Sequence, residues 1–397
     1  MQLRGNHVTT RVEWSPWNYV ASHRRFSTPE DAVNTTRSTV LSVVQAWAHV
    51  DRVILLELSG GLDSSIMAAC LEGADANVRC CTLTTTVPGA DERQYAGLMA
   101  DQLGAELQLR VLDFEDARFD FPPPPSAVVP GMALLQYAVD MAMKDAGTSY
   151  DTVSHFTGGG GDTVFCYLRT AAPAVDAFRE VGIGAGFGAI NHLSLLHGCT
   201  FWKAACVTAK KLMRRPKSPC VADLTFLSPS IAACLPADAH PWLNQPEGAL
   251  PGDCERIADL VGTMMFRASS PRGQETWLRM PFLSQPVLEV CLRTPSWMAI
   301  AGGVNRAVAR AAFADLLPPE VLNRRSKGTF VNYSGAAYQR SKAELRQFLL
   351  FGVLRERKLV DAAALERFFD REPAPRDTSF MRLFELAMIE NWLRHQP

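Results

Sequence analysis

The sequence has 397 residues, enough for two or three domains and a substantial hydrophobic core. Its formal net charge of −1 provides no general attraction to nucleic acid or membrane lipid, so we expect neither as a partner. Ten cysteines are scattered without a C-x-x-C pair or zinc-finger spacing, which is typical of reduced thiols and predicts a cytoplasmic protein. The charged N-terminus lacks the apolar run of a secretory signal.

Apolar strand patterns alternate with helical patterns over the first part of the chain. Strands are predicted at 53–58, 78–85, 106–112 and 152–156, and helices at 29–49, 91–103 and 132–146, with another directly after residue 61. This order predicts an α/β fold with an open, mostly parallel sheet and helices on both faces. Ligands of such sheets bind at the carboxyl ends of the strands, where Ser59, Thr84 and Thr157 lie.

Beyond about residue 170 the pattern becomes mainly helical. Helices are predicted at 189–213, 253–266, 284–293, 304–316, 341–351 and 377–394. The predicted division is therefore an irregular N-terminal segment, an α/β core, and a mainly helical C-terminal portion packed over the sheet edge, at 1–30, 31–170 and 171–397 respectively.

Three features of the segment from 181 to 217 need separate interpretations. Its glycine-rich stretch at 182–188 imitates a dinucleotide fingerprint but lacks a preceding strand, so a mobile loop is predicted. The stretch 181–202 is too polar and glycine-rich to span a membrane. The lysines and arginines at 203–217 are interpreted as a solvated basic face, with contact to an acidic peptide or partner as the alternative.

The loop SGGLDSS at 59–65 is the stretch around which the rest is organised. It follows a buried strand and opens a helix, so backbone N–H groups point into one concavity at a positive helix end. Gly60 and Gly61 allow close approach of the backbone to an anion, and the serines add hydroxyl donors, which suits phosphate. No Lys precedes the final serines, so it is not a nucleoside-triphosphatase loop, and Asp63 suits Mg²⁺ beside phosphates.

Two further loops carry chemistry. The run TGGGGD at 157–162 follows the fourth predicted strand and presents bare backbone, with Asp162 as a second carboxylate for a metal or phosphate site. The run NRRSKGTF at 323–330 is basic and follows a Leu-Pro-Pro turn, which makes Lys327 a candidate for reaching the site from a loop tip.

These motifs together resemble a known family. The loop at 59–65 resembles the pyrophosphate loop of ATP pyrophosphatases. With Asp91-Glu92, the glycine run at 158–162, PFLSQP at 281–286 and LPPE at 317–320 leading to RSKG at 325–328, the chain resembles the synthetase domain of the asparagine synthetase family. The WSPW motif at 14–17 and the RRSKG form resemble lasso-peptide macrocyclases within that family.

The resemblance implies a ligase that uses ATP and Mg²⁺ to adenylate an Asp or Glu side chain of a precursor peptide. The peptide's N-terminal amine would then close an isopeptide ring, releasing AMP and pyrophosphate. Implied partners are that precursor peptide, a leader-binding protein and a leader peptidase. The implied site comprises the catalytic Lys327, Asp162 and Glu92, the metal ligands Asp63 and Asp162, and the ATP- and pyrophosphate-binding Leu58, Ser59, Gly60, Gly61, Asp63, Ser64, Ser65, Thr84, Thr157 and Gly158.

The chain departs from the family pattern in two ways. About fifty residues precede the loop and no Cys follows Met1, so we expect no glutaminase-type domain and no ammonia from glutamine. Gly159 and Thr163 stand where relatives making asparagine or β-lactams carry ionisable residues, and a glycine-lined pocket suits a bulky peptide. The alternatives are a β-lactam or asparagine-type synthetase using an external amine or ammonia, a tRNA-modifying ATP pyrophosphatase, and a non-catalytic nucleotide-binding scaffold.

Overall fold

The computed structural model describes residues 2–4, 7–9, 12–88, 91–123, 127, 129–131, 134–214, 223–234, 240–267, 276–325, 328, 330–372 and 377–396. The strands are β1 Gln2–Arg4, β2 His7–Thr9, β3 Val53–Glu57, β4 Asn77–Thr85, β5 Leu107–Leu112, β6 Ser154–Thr157, β7 Trp277–Arg279, β8 Ile300–Ala301 and β9 Val304–Asn305. The helices of the first half are α1 Pro29–Asp51, α2 Leu62–Leu71, α3 Arg93–Leu103, α4 Leu134–Thr148, α5 Gly161–Val164, α6 Ala172–Glu180, α7 Ile183–Leu196 and α8 Phe201–Met213. Those of the second half are α9 Pro229–Ala233, α10 Pro251–Arg267, α11 Gln285–Leu292, α12 Ala307–Ala312, α13 Pro319–Leu322, α14 Val331–Leu350, α15 Val353–Glu356, α16 Ala362–Asp370 and α17 Met381–Arg394.

The centre of the fold is a five-stranded parallel sheet in the order β5-β4-β3-β6-β7. This confirms the predicted open α/β sheet and its four strands. The fifth strand, Trp277–Arg279, was not predicted because it has three residues and none of them is buried. It comes from beyond residue 170, so the sheet continues across the predicted domain division.

The apolar run of β3 explains why helices cover both faces of the sheet. Ile54 and Leu56 pack into one core with α1, α2 and α3, whereas Leu55 points into a second core with α4, α14 and α17. Successive side chains of a strand point to opposite faces, and here both faces are buried. The first helix begins as predicted, with Thr28 Oγ1 accepting a hydrogen bond from Asp31 N at 3.1 Å and Pro29 in the first turn.

The predicted mobile loop at 182–188 is wrong, because α7 begins at Ile183. A Cβ at Gly186 would lie 2.3 Å from the Phe178 ring, so this glycine allows α6 and α7 to pack closely. The single helix predicted at 189–213 is two helices, separated at Gly198 with φ +57°. In the described part of the chain, no helix is both long and apolar enough to cross a membrane.

A helix predicted from residue 304 also begins later than expected. Residues 300–305 form a β-hairpin, β8 with β9, whose turn residues Gly302 and Gly303 have φ of +56° and +76°. The following helix, α12, starts at Ala307 after Arg306, which has a left-handed φ of +53°. This turn decides where the Arg306 side chain points, and that direction matters for the cavity described below.

A buried acidic cluster joins α6 to α10 and to the turn before β8. Asp176 accepts hydrogen bonds from Gly252 N at 3.0 Å and from Ser296 Oγ at 2.5 Å. Burial, and then the nearby Asp253 carboxylate, raise the pKa of Asp176 from 3.8 to about 7. The folded protein therefore binds a proton here that the unfolded chain has released above about pH 4.

We expect this proton to make stability depend on pH. Because the folded-state pKa is raised, the contribution is present at low pH and is lost as pH rises from about 4 through about 7. Between pH 5 and 7 the free energy of unfolding should fall by about 2 kcal/mol more in the parent protein than in Asp176→Asn. Urea unfolding at several pH values measures it, with exposed Asp75→Asn as control. Parallel curves for parent and Asp176→Asn would contradict the assignment.

Candidate active site

A cavity of about 790 Å³ opens at the carboxyl ends of β3 and β6. It brings together most of the residues that the sequence had singled out, although they come from separate loops. The predicted site residues that line it are Ser59, Gly61, Asp63, Ser64, Glu92, Thr157, Gly158 and Asp162. Leu58, Gly60, Ser65 and Thr84 are not among its lining residues; the first and third of these are fully buried.

The first turn of α2 forms the floor of this cavity. Gly61 is the N-cap and no side chain caps the helix, so its first N–H groups are not satisfied by a capping side chain. Ser64 Oγ donates to the Gly61 carbonyl at 3.1 Å and lies 3.1 Å from Ser59 Oγ. The helix dipole and these donors make the N-terminus of α2 suitable for binding an anion.

The glycine run after β6 lies directly against this turn. A Cβ at Gly158 would be 2.7 Å from both Asp63 C and Ser64 N, and a Cβ at Gly161 would be 2.6 Å from Asp63 Cγ. Gly159 differs, because its Cβ would meet nothing closer than Thr157 Cγ2 at 3.5 Å, an ordinary contact. Two of the glycines are therefore required for loop contact, whereas Gly159 lines the cavity and could carry a Cβ at ordinary contact distances.

Asp63 and Asp162 meet at one cation. Arg306 Nη1 donates to Asp63 Oδ1 at 2.8 Å, to Asp63 Oδ2 at 3.0 Å and to Asp162 Oδ1 at 2.6 Å. Its side chain is buried and its Cζ lies 5.1 Å from the centre of the Tyr167 ring. Two carboxylates from different loops thus share a single positive charge at the strand ends.

Glu92 holds another part of the cavity wall. Its Oε1 accepts hydrogen bonds from Arg324 Nη2 and, at 2.8 Å, from Gly328 N. Arg324 also donates to the Gly60 carbonyl at 3.3 Å and stacks 4.0 Å from the Tyr95 ring centre. These contacts give Glu92 a positioning role for the segment after α13; its catalytic role remains a prediction.

The cavity is rich in arginine. Its lining includes Arg169, Arg306, Arg310, Arg324 and Arg325 beside Glu57, Asp63, Glu92 and Asp162. Burial, and then the charge of Arg306, lower the pKa of Arg310. The guanidinium groups are therefore crowded, and an anionic ligand would relieve their mutual repulsion.

Sequence reasoning missed Arg306 and Arg310 altogether. Both were hidden in a predicted helix, and a lone arginine after a Gly-Gly turn carries no local signal for a site. Lys327 lies outside the described residues, so its predicted role is neither supported nor opposed by contacts.

The acidic residues of the cavity fit a magnesium ion that is bound together with phosphates. Among the described residues no group of three His, Cys, Asp or Glu side chains is arranged to hold a metal alone. Magnesium, however, is commonly bound by one or two carboxylates together with substrate phosphates and water. Asp63 and Asp162 could supply those carboxylates, since both lie beside one cationic guanidinium nitrogen.

The fold and the position of the cavity define an α/β protein of the open parallel-sheet class, with its ligand site at the strand ends. The asparagine synthase family model matches residues 36–247 and 250–394, and the chain belongs to that family. At the family level it is an ATP-dependent ligase that forms amide bonds, for which AMP and pyrophosphate are typical products. A search of curated proteins gave no significant match.

We expect Arg306→Met to destabilise the protein by about 2–4 kcal/mol at neutral pH. Removing one partner of a buried ion pair leaves an uncompensated charge, and the partial exposure of Asp162 moderates the cost. Arg37→Met, which breaks a bidentate pair with the exposed Asp315, should cost less than about 1 kcal/mol. Urea unfolding measures both, and magnesium chloride should recover part of the loss only in Arg306→Met. Equal losses in the two variants would contradict the role given to Arg306.

Proposed function

We propose that this protein is an ATP-dependent peptide macrocyclase. It would adenylate an Asp or Glu side chain of a precursor peptide and close an isopeptide ring with the peptide's N-terminal amine, releasing AMP and pyrophosphate. The observation that carries the proposal is the convergence of Asp63, Asp162 and the start of α2 on one glycine-lined cavity. Its amide-forming, ATP-dependent part follows from family membership.

The positions of the residues in the cavity support the proposed roles, except for Lys327, whose role is implied by the family motif. The uncapped start of α2, with Ser59 and Ser64, would bind the pyrophosphate, and Asp63 and Asp162 would hold magnesium. Bound magnesium supplies charge neutralisation at the phosphates. Positioning and electrostatic stabilisation carry most of such a phosphorus-centred displacement. Lys327, by its resemblance to the family motif, would stabilise charge on the pyrophosphate or on the tetrahedral oxyanion.

Several features support a peptide as the substrate. Gly159 leaves its part of the cavity wall without a side chain. At position 163 an ionisable side chain would suit a small amine substrate, but this chain has a threonine, whose Oγ1 lies 2.9 Å from Thr263 Oγ1. The cavity volume of about 790 Å³ lies in the upper part of the range usual for ligand pockets, which supports a substrate larger than a nucleotide alone. The rival reading is a β-lactam or asparagine-type synthetase supplied with external amine or ammonia.

The WSPW motif that supported the macrocyclase resemblance has a structural role here. Trp14 Nε1 and Tyr19 OH donate to Glu289 Oε1 at 2.9 and 2.7 Å, and Trp14 packs against Trp242 with ring centres 5.2 Å apart. The motif thus fastens the N-terminal segment to α11. A leader-binding protein and a leader peptidase remain proposed partners.

ATP–pyrophosphate exchange tests the proposal directly. Peptides bearing an Asp or Glu near the N-terminus should support exchange, and mass spectrometry should show the loss of one water. Exchange that produces amidation with added ammonia, and no loss of water, would favour the rival synthetase. Absence of exchange with every carboxylate tried would favour a nucleotide-binding scaffold.

A further inference from the structure

A row of exposed apolar side chains runs along α7. Ile183, Phe187 and Leu195 have exposed fractions of 72, 50 and 53%, and they are spaced four and eight residues apart. At about 100° per residue, these three side chains fall within an arc of about 120° around the helix. Exposed apolar surface of this kind commonly marks a site of interaction.

The row continues onto α8. The Phe187 ring lies 6.3 Å from that of Phe201, which is 5.6 Å from Trp202, the latter 79% exposed. Lys203 and Lys210 are exposed on the same helix. We call this surface, formed by Ile183, Phe187, Leu195, Trp202, Lys203 and Lys210, the α7–α8 surface.

Charge makes the surface selective. From residue 181 to 217 the chain carries six Lys or Arg residues and no Asp or Glu. Lys211 is already paired with Glu255 at 2.5 Å, whereas Lys203 and Lys210 extend into solvent. An occupant with apolar and acidic side chains would therefore be complementary.

The same helix leads into the cavity. Leu196 and His197, at the end of α7, line it together with Gly303 of the β8–β9 turn. His192 Nδ1 accepts a hydrogen bond from Gly302 N at 3.2 Å, and a Cβ at Gly303 would lie 2.9 Å from Leu195 Cβ. A chain lying along the α7 row would therefore reach the cavity without leaving the protein surface.

We propose that the α7–α8 surface binds an acidic, apolar segment of the substrate peptide that lies outside the ring being closed. This proposal rests on the proposed macrocyclase function. A membrane is the less favoured occupant because the apolar row of α7 leads to the cavity, which Leu196 and His197 line. Holding the segment there would fix the peptide's position while its ends react, which reduces the entropic cost of ring closure.

Fluorescence anisotropy with a labelled peptide of Glu, Leu and Phe tests the surface, with the same peptide carrying Lys for Glu as the comparison. The acidic peptide should bind the full chain more tightly. Phe187→Ser with Trp202→Ser, and separately Lys203→Glu with Lys210→Glu, should each raise its Kd by about tenfold. Phe351→Ser with Arg357→Glu, both exposed and outside the surface, should leave it unchanged.

Equal binding of the two peptides, or unchanged affinity in either α7–α8 pair, would overturn the proposal. The proposal would also be overturned if the protein sedimented with vesicles of equal phosphatidylglycerol and phosphatidylcholine, and if both pairs of substitutions abolished this sedimentation without changing the affinity for the peptide. ATP–pyrophosphate exchange separates this outcome from failure of the proposed function. Exchange and ring closure unaffected by the α7–α8 substitutions would overturn the surface alone, whereas selective peptide binding without any exchange would support the surface and overturn the function.

Discussion

Gly158→Ala should weaken the binding of ATP with magnesium by about 10²-fold, whereas Gly159→Ala should change it less than about threefold. The added methyl group at Gly158 would lie 2.7 Å from the backbone at Asp63 and Ser64. Backbone cannot swing aside as the end of a side chain can, so the loop after β6 and the start of α2 must separate. The anion-binding N–H groups and the Asp63 carboxylate would then move together.

The neighbouring glycine provides the control variant for this prediction. Gly159 belongs to the same loop, lines the same cavity and gains the same methyl group, yet its nearest contact would be 3.5 Å. Isothermal titration with MgATP measures both variants, and thermal unfolding checks that each is folded. Comparable affinities for the two variants would show that the close approach of the loops does not matter for nucleotide binding.

The sheet and its loops could be predicted because their signals are local. The apolar run at 53–58, the glycines after it and the four strands each depend on neighbouring residues, and parallel strands bring their carboxyl ends to one edge. Because β6 is a neighbour of β3 in the sheet, that rule places the loop at 59–65 beside the loop at 157–162. The close approach of Gly158 to Asp63 is the contact through which these two loops meet.

The arginines could not be predicted, because their positions are decided by tertiary packing. Arg306 reaches Asp63 and Asp162 across 243 and 144 residues, after a hairpin of two-residue strands. A hairpin with strands of two residues is too short to show a periodic apolar pattern, so the sequence predicted a continuous helix. The error at 182–188 is similar, since helix propensity disfavours glycine while the contact between Gly186 and Phe178 requires it.

The contacts of Arg306 change how the two carboxylates should be understood. A pair of acids at a phosphate site needs a cation when no metal is bound, or they would repel each other and any incoming phosphate. Arg306 supplies that cation from a left-handed turn that fixes the start of α12. The Arg306 contacts thus hold the two loops together and offset part of the charge of the two carboxylates, and this preorganisation lowers the cost of binding.

Asp63→Asn should lower ATP–pyrophosphate exchange by about 10³-fold while leaving the fold intact. The amide oxygen can still accept a hydrogen bond from Arg306, which Asp63 now receives at 2.8 and 3.0 Å, so the local packing is retained. The negative charge that would attract magnesium is lost. Binding of ATP, which in the parent protein should strengthen on addition of magnesium, should become nearly independent of the metal in the variant.

Asp315→Asn is the matched control, because Asp315 also pairs with an arginine but does so outside the cavity. It should leave exchange and the effect of magnesium unchanged. Full exchange by Asp63→Asn would mean that the carboxylate serves only as a partner for Arg306. Loss of both exchange and magnesium dependence would assign the effect to the charge of Asp63, because the amide can still accept a hydrogen bond from Arg306.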